Sequence, residues 1–200
     1  MKKLGKLFLD YLDPDVAYFI GLVTARGEIS DSGRVKRITV EFPFRNLKVE
    51  GIKKRITQKD QILLSLDRAV KRVNELADVS IRKEESERSV YLIIETLKNI
   101  MFLRNTKMLM KGRSSYYEFE VPDQIFQSDD SIKKEFIRGF ADVAGSARWA
   151  NRNRWKKCRV YLDVLNSPSN WRLPIQICYL LQDHLGIPVD VIQWGHPNTL

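Results

Sequence analysis

Cysteine is scarce: Cys158 and Cys178 are the two in 200 residues. Two thiols are too few for a disulfide framework or a zinc site, so reduced thiols and a cytoplasmic setting are expected. No apolar run approaches the roughly 20 residues that span a bilayer. The basic N-terminus lacks the uninterrupted apolar segment and cleavage site of a signal peptide, and no membrane partner is expected. Common catalytic signatures are missing as well: there is no phosphate-binding glycine loop, no HExxH and no Ser-His-Asp order. Of the two histidines, His184 falls near a helix C-terminus, where partial positive charge is favourable. His196 lies in Gly-His-Pro-Asn and has no partner in the sequence.

What is present is an ordinary globular composition with an excess of one charge. Hydrophobic residues make up 44% and charged residues 30%, typical of a folded soluble domain. Two hundred residues make one large domain or two fused halves of about 100 each. Lys and Arg number 34 against 25 Asp and Glu, a net charge of +9. That excess favours a polyanionic partner.

One short stretch occurs twice. Residues 18–29 read Tyr-Phe-Ile-Gly-Leu-Val-Thr-Ala-Arg-Gly-Glu-Ile, and residues 136–147 read Phe-Ile-Arg-Gly-Phe-Ala-Asp-Val-Ala-Gly-Ser-Ala. Each has an aromatic before a glycine, a bulky apolar residue after it, and a second glycine six positions on: Gly21 and Gly27, then Gly139 and Gly145. Ala25, Ala141 and Ala144 fill the gaps with small side chains. Small residues on one face of an apolar helix admit another backbone at close range, at a cost in helix propensity. The second glycine suits a left-handed C-cap that leads into a strand. Two such helices 118 positions apart imply an internal duplication whose copies pack together through Gly21, Ala25, Gly27, Gly139 and Gly145.

These two stretches resemble the paired LAGLIDADG motifs of homing endonucleases and related maturases. The resemblance implies two pseudo-symmetric halves with the motif helices at their interface. It also implies an acidic residue just before the final glycine of each helix, holding the divalent metals that cut DNA. Here those positions are Arg26 and Ala144, and the first acidic position of the motif is Thr24 in one copy and Asp142 in the other. The scaffold signature is intact and the metal-binding signature is lost. Glu28 and Asp142 lie within two residues and are the candidate substitutes. A two-residue shift turns a helical side chain by about 200°, which counts against Asp142.

Read in order, residues 3–12 form a short amphipathic segment, and Asp13-Pro14 starts the first motif helix. Ser32-Gly33 is a turn, followed by strand-like alternation from Arg34 to Phe44. Helical spacing runs from Thr57 to Ala77, with Thr57 as cap and Asp60 imitating a capping box. Val79–Lys83 and Ser89–Glu95 read as strands, and Leu97–Leu109 as a closing helix. Tyr116–Val121 reads as a strand or a connector. The expected division is a first half over 1–112, a connector over 113–130 and a second half over 131–200.

Asp130-Ser131 caps the second motif helix. Strands follow over 147–151 and 157–164, then a helix from Ser169-Asn170 to Gly186, and a strand over 189–192. Few residues follow Trp194, so this half is either abbreviated or continues beyond residue 200. Trp171 and Trp194 are expected in the core or between the halves.

Six of the twelve residues from 148 to 159 are basic: Arg148, Arg152, Arg154, Lys156, Lys157 and Arg159. The matching strand pair of the first half carries Arg34, Lys36, Arg37, Arg45 and Lys48. In proteins of the resembled type such strands form a saddle-like sheet along the major groove, where arginine suits base edges and lysine supplies charge. For a single hairpin the plain alternative is a solvated charged surface. Matching positions in both halves favour nucleic acid.

The expectation is therefore an α/β (α+β) protein with two LAGLIDADG-like halves of order αββαββα and mixed sheets. It is a monomer with an internal pseudo-twofold that binds duplex DNA and needs no cofactor. One alternative is an active Mg²⁺-dependent endonuclease using Glu28 or Asp142. Others are a maturase-like binder of structured RNA and a protein-interaction scaffold whose charge is incidental.

Overall fold

The computed structural model describes residues 11–44, 46–47, 56–57, 59–149, 158–164 and 170–192. Helix α1 (Pro14–Arg26) starts where Asp13 accepts from the Val16 amide at 2.8 Å, with Pro14 in the first turn. Every residue from Val16 to Ala25 is buried, so this helix is enclosed on all sides, as an all-apolar helix must be.

Strands β1 (Gly27–Ser32) and β2 (Val35–Pro43) follow as a hairpin, then the short pair β3 (Asn46–Leu47) and β4 (Ile56–Thr57). Helix α2 (Lys59–Leu76), strands β5 (Ser80–Glu85) and β6 (Ser89–Glu95), and helix α3 (Ile100–Leu109) come next. Apart from the extra β3–β4 pair, this is the expected order. Thr57 belongs to β4 and is not the cap of α2, which starts two residues later.

The main sheet runs β1-β2-β6-β5, and every neighbour is antiparallel. The α+β class stands, but the sheet is not mixed. Short hairpin turns join β1 to β2 and β5 to β6, and α2 returns the chain so that β6 lands beside β2. Strand alternation assigns the two faces. Ile29, Ile38, Val40, Phe42, Val90, Leu92 and Ile94 are buried in the same cluster as the helices. The opposite face carries Glu28, Arg37, Thr39, Glu41, Tyr91, Arg82, Glu84 and Glu95.

Residues 113–130 are more than a connector. Ile29 N–H donates to Ser114 O at 2.7 Å and Tyr116 N–H to Gly27 O at 2.9 Å, which covers the edge of β1. The chain then turns back on Ser115, so of the two readings of 116–121 the strand does not form. A short helix, α4 (Asp123–Gln127), follows Pro122. Phe119, Val121 and Ile125 are fully buried in the common core.

Helix α5 (Asp130–Ala144) is capped by Asp129, one residue before the expected position, with bonds of 2.9 and 3.1 Å to the Ser131 and Ile132 amides. Strands β7 (Gly145–Trp149) and β8 (Cys158–Leu162) form a hairpin. Helix α6 (Arg172–Tyr179) continues into a π-helical turn at Leu180–His184. Gly186 ends it with φ +63°, as expected for a left-handed stop.

Residues 187–192 form no strand, contrary to expectation, and Pro188 lacks the N–H that a ladder needs. Trp171 is 51% exposed instead of packed, with the Arg172 guanidinium 5.6 Å from its ring centroid. Leu173, Ile177 and Leu180 join the core that helix α1, the main sheet and residues 119–125 also build. Trp194 lies outside the described residues. None of the described helices is long and apolar enough to cross a membrane.

Candidate nucleic-acid interface

The site is organised by the contact between α1 and α5, the most extensive between any two elements. A Cβ added at Gly21 would fall 2.1 Å from Phe136 O and 2.8 Å from Phe140 N. One added at Gly139 would fall 2.0 Å from Tyr18 O and 3.2 Å from Leu22 N. Phe136 and Phe140 stand three before and one after Gly139; Tyr18 and Leu22 stand three before and one after Gly21. The two glycines therefore make the same contact in reciprocal form, each seated on the other helix's backbone. Ala25 is buried in the same helix.

Gly27 and Gly145 end the two helices with φ −96° and −78°, so neither is the left-handed cap that the spacing suggests. Their need for glycine is steric. A Cβ would lie 2.5 Å from Val23 O at Gly27 and 2.4 Å from Ala141 O at Gly145, the very carbonyls that their amides bond.

The motif's acidic positions do not fit a divalent metal. Ala144 is buried and offers no donor. Arg26 Nη1 lies 3.4 Å from Glu41 Oε2 on β2. Thr24 is buried and its hydroxyl donates to Ile20 O at 2.7 Å, within its own helix. Asp142 accepts from the Tyr18 phenol at 2.7 Å, a bond across the α1–α5 seam. Burial, then the bond to Asp142, push that phenol well above its ordinary pKa. The Arg72 guanidinium lies 3.9 Å from the Tyr18 ring centroid. It also bonds Asp15 at 2.6 and 2.8 Å and Glu135 at 2.9 Å, tying α2 to both motif helices.

Glu28 is exposed and accepts from Ser115 Oγ at 2.7 Å. The two candidate substitute acids thus have separate partners. Among the described residues no group of three or more His, Cys, Asp and Glu side chains is placed to hold a metal ion.

The basic positions divide. Arg34 is exposed at the β1–β2 turn. Lys36 and Arg37 are sequence neighbours on a strand and so face opposite ways. Lys36 Nζ is ion-paired with Asp31, which also takes Lys107 Nζ at 2.7 Å. Those bonds, Lys107 first and Lys36 second, lower the Asp31 pKa to about 2. Arg37 sits on the face away from the core, between Ser30 and Glu95 in the register, and its Nε is buried without a hydrogen-bond partner. That face also carries Glu28, Glu41, Glu84, Glu95 and Arg82, so the flat of the first sheet is not a basic surface.

In the second hairpin the register sets Arg148 directly opposite Arg159. Arg45, Lys48, Arg152, Arg154, Lys156 and Lys157 lie outside the described residues. Sequence reading missed two groups. Glu41, the partner of Arg26, carried no local signal. The opposition of Lys36 and Arg37 was available from the period of two.

No family model and no curated protein matches the sequence. Among the solved structures that are similar in part are these three. One is an alanine variant of I-DmoI in complex with its target DNA in the presence of 2 mM Mn: 16% identity, 68% of this chain, 63% of that chain, TM-score 0.36. A second is a serine variant of I-DmoI in complex with its target DNA in the presence of 2 mM Mg: 16% identity, 68% of this chain, 65% of that chain, TM-score 0.35. Both matches thus span less than two thirds of those chains. The third belongs to work on mesophilic variants from the homing endonuclease I-DmoI: 14% identity, 93% of this chain, 86% of that chain, TM-score 0.43.

Proposed function

We propose that this chain binds duplex DNA as a LAGLIDADG-like protein that does not cut it by a metal route. The observation that carries the reading is the reciprocal seating of Gly21 and Gly139. It gives the two resembling stretches the shared interface that the resemblance implies, and it supports reading residues 1–112 and 131–200 as two halves of a monomer joined through 113–130. Hydrolysis through bound Mg²⁺ needs carboxylate oxygens that share an ion and position a water. Arg26 and Ala144 supply none, and Asp142 and Glu28 are engaged with Tyr18 and Ser115.

The net charge of +9 supports a polyanionic partner. Within the fold, the second hairpin suits it better than the flat of the first sheet. Its register sets Arg148 and Arg159 at directly opposed positions of the paired strands. Arg152, Arg154, Lys156 and Lys157 fall between these two positions in sequence, and Arg34 adds a contact at the first hairpin's turn.

The test is titration with mixed-sequence duplex DNA over a range of salt. Log affinity should fall against log salt with a slope near −0.9 per phosphate contacted. Arg154→Ala with Lys156→Ala should weaken binding while leaving the melting curve unchanged. Absent or salt-independent binding refutes the reading, and a clear preference for structured RNA replaces its ligand. Cleavage of a randomised plasmid library with Mg²⁺ or Mn²⁺ refutes the loss of chemistry.

A further inference from the structure

Arg26 closes α1 with its side chain only 15% exposed, yet most of its hydrogen-bonding capacity is unspent. Its Nε is buried with no partner. Its contact with Glu41 is 3.4 Å long, whereas charge-assisted N–H···O bonds close to about 2.7–2.9 Å. The same carboxylate is shared: Glu41 Oε1 accepts a short bond from the Ser89 hydroxyl while Oε2 faces the guanidinium. A buried N–H left without a partner is unfavourable as it stands. The planar fork of arginine is shaped to donate to two oxygens of one oxyanion.

We infer that Arg26 is a phosphate-binding residue of the nucleic-acid interface. This rests on the reading that the chain binds duplex DNA, and it goes beyond it by naming how the end of α1 engages the ligand. A phosphodiester at that end takes the Nη donors of Arg26 through two of its oxygens. Glu41 gives up its long contact and keeps its bond to Ser89. No covalent bond changes. The chain grips the backbone with a fixed cation where the resembled family places a metal. Glu41 acts as a resident competitor: only a ligand that supplies better acceptors than one distant carboxylate oxygen displaces it.

The experiment uses the full chain as wild type, Arg26→Met and Glu41→Gln, each titrated with the same mixed-sequence duplex at several salt concentrations. Arg26→Met should bind more weakly, with a log–log salt slope shallower by about 0.9, the value for one lost phosphate contact. Glu41→Gln, which keeps Arg26 and removes its competitor, should bind more tightly. In the wild type the Arg26 guanidinium proton resonances should shift when duplex is added.

Failure of the wild type to bind with salt dependence refutes the parent reading. A wild type that binds, with Arg26→Met showing the same slope and affinity, refutes this inference alone. So does a Glu41→Gln protein that binds more weakly, or guanidinium resonances that do not move. If Arg26→Met fails to fold, the last two measurements decide.

Discussion

Replacing Gly21 and Gly139 by alanine, singly and together, tests the seam on which the reading rests. In each single variant the new methyl would sit about 2 Å from a backbone carbonyl oxygen of the other helix, at 2.1 Å for Gly21 and 2.0 Å for Gly139, where ordinary contact is 3.4–4 Å. The obstructing atoms are main chain, so no rotamer change relieves them, and the helices must part by more than 1 Å. Overpacking of this kind costs about 3 kcal/mol, the upper end of the usual range. Alanine returns about 1 kcal/mol through its better helix propensity. The net loss is roughly 2 kcal/mol per site. With a urea slope of about 2 kcal/mol per molar, each single variant should lose about 1 M in its unfolding midpoint.

Because the contacts are reciprocal, the two losses should be equal within error. Once one methyl has separated the helices the second finds room, so the double variant should fall short of additivity by about 1 kcal/mol or more. Urea titrations followed by circular dichroism read all four proteins. Wild-type stability in either single variant, losses that simply add, or one much larger than the other would refute the reciprocal seat.

Tyr18→Phe removes a cross-seam bond to Asp142 and should cost about 1 kcal/mol. The Tyr18 phenol has a raised pKa in the fold and ionises first in the unfolded chain. Its contribution is therefore complete below about pH 10 and lost as pH rises further; melts at pH 9 to 11 should show the decline in wild type and a flatter profile in Tyr18→Phe. Asp31 has the opposite sign. Its lowered pKa, about 2 against 3.8, stabilises fully above about pH 4 and is lost as pH falls towards 2. In Lys107→Ala, carboxyl NMR should place the Asp31 titration closer to 3.8. Gly33 has φ +53° with open space around it, so Gly33→Asn should be nearly neutral by thermal melt, while Gly33→Val should cost about 1–2 kcal/mol.

The glycine pair was legible because close helix contact leaves a local trace: small residues at fixed spacing in an apolar run. Helix α1 and strand β2 were legible for a similar reason, since Asp13-Pro14 and the alternation of 35–43 act through neighbours in sequence. The caps show the limit. Gly186 and Gly145 both follow helices, but only Gly186 takes a left-handed conformation; Gly145 is required by a carbonyl four residues back. Residues 116–121 have strand composition, yet their amides were claimed by the edge of β1 and by a turn on Ser115. Arg26 and Glu41 meet only because β2 lies beside β1, a register that neither segment states by itself. Lys36 and Arg37 are both basic in the sequence, yet the pleat of β2 sets them on opposite faces of the sheet.

The mutual seat of the motif glycines also bears on how such a chain changes over generations. A side chain gained at either glycine is blocked by main chain of the other helix, and no single compensating replacement can move that obstacle. Five residues further on the two helices differ, Arg26 ending in a guanidinium and Ala144 in a methyl. Mutual seating of this kind constrains both glycines at once while leaving neighbouring positions on the two helices unlike.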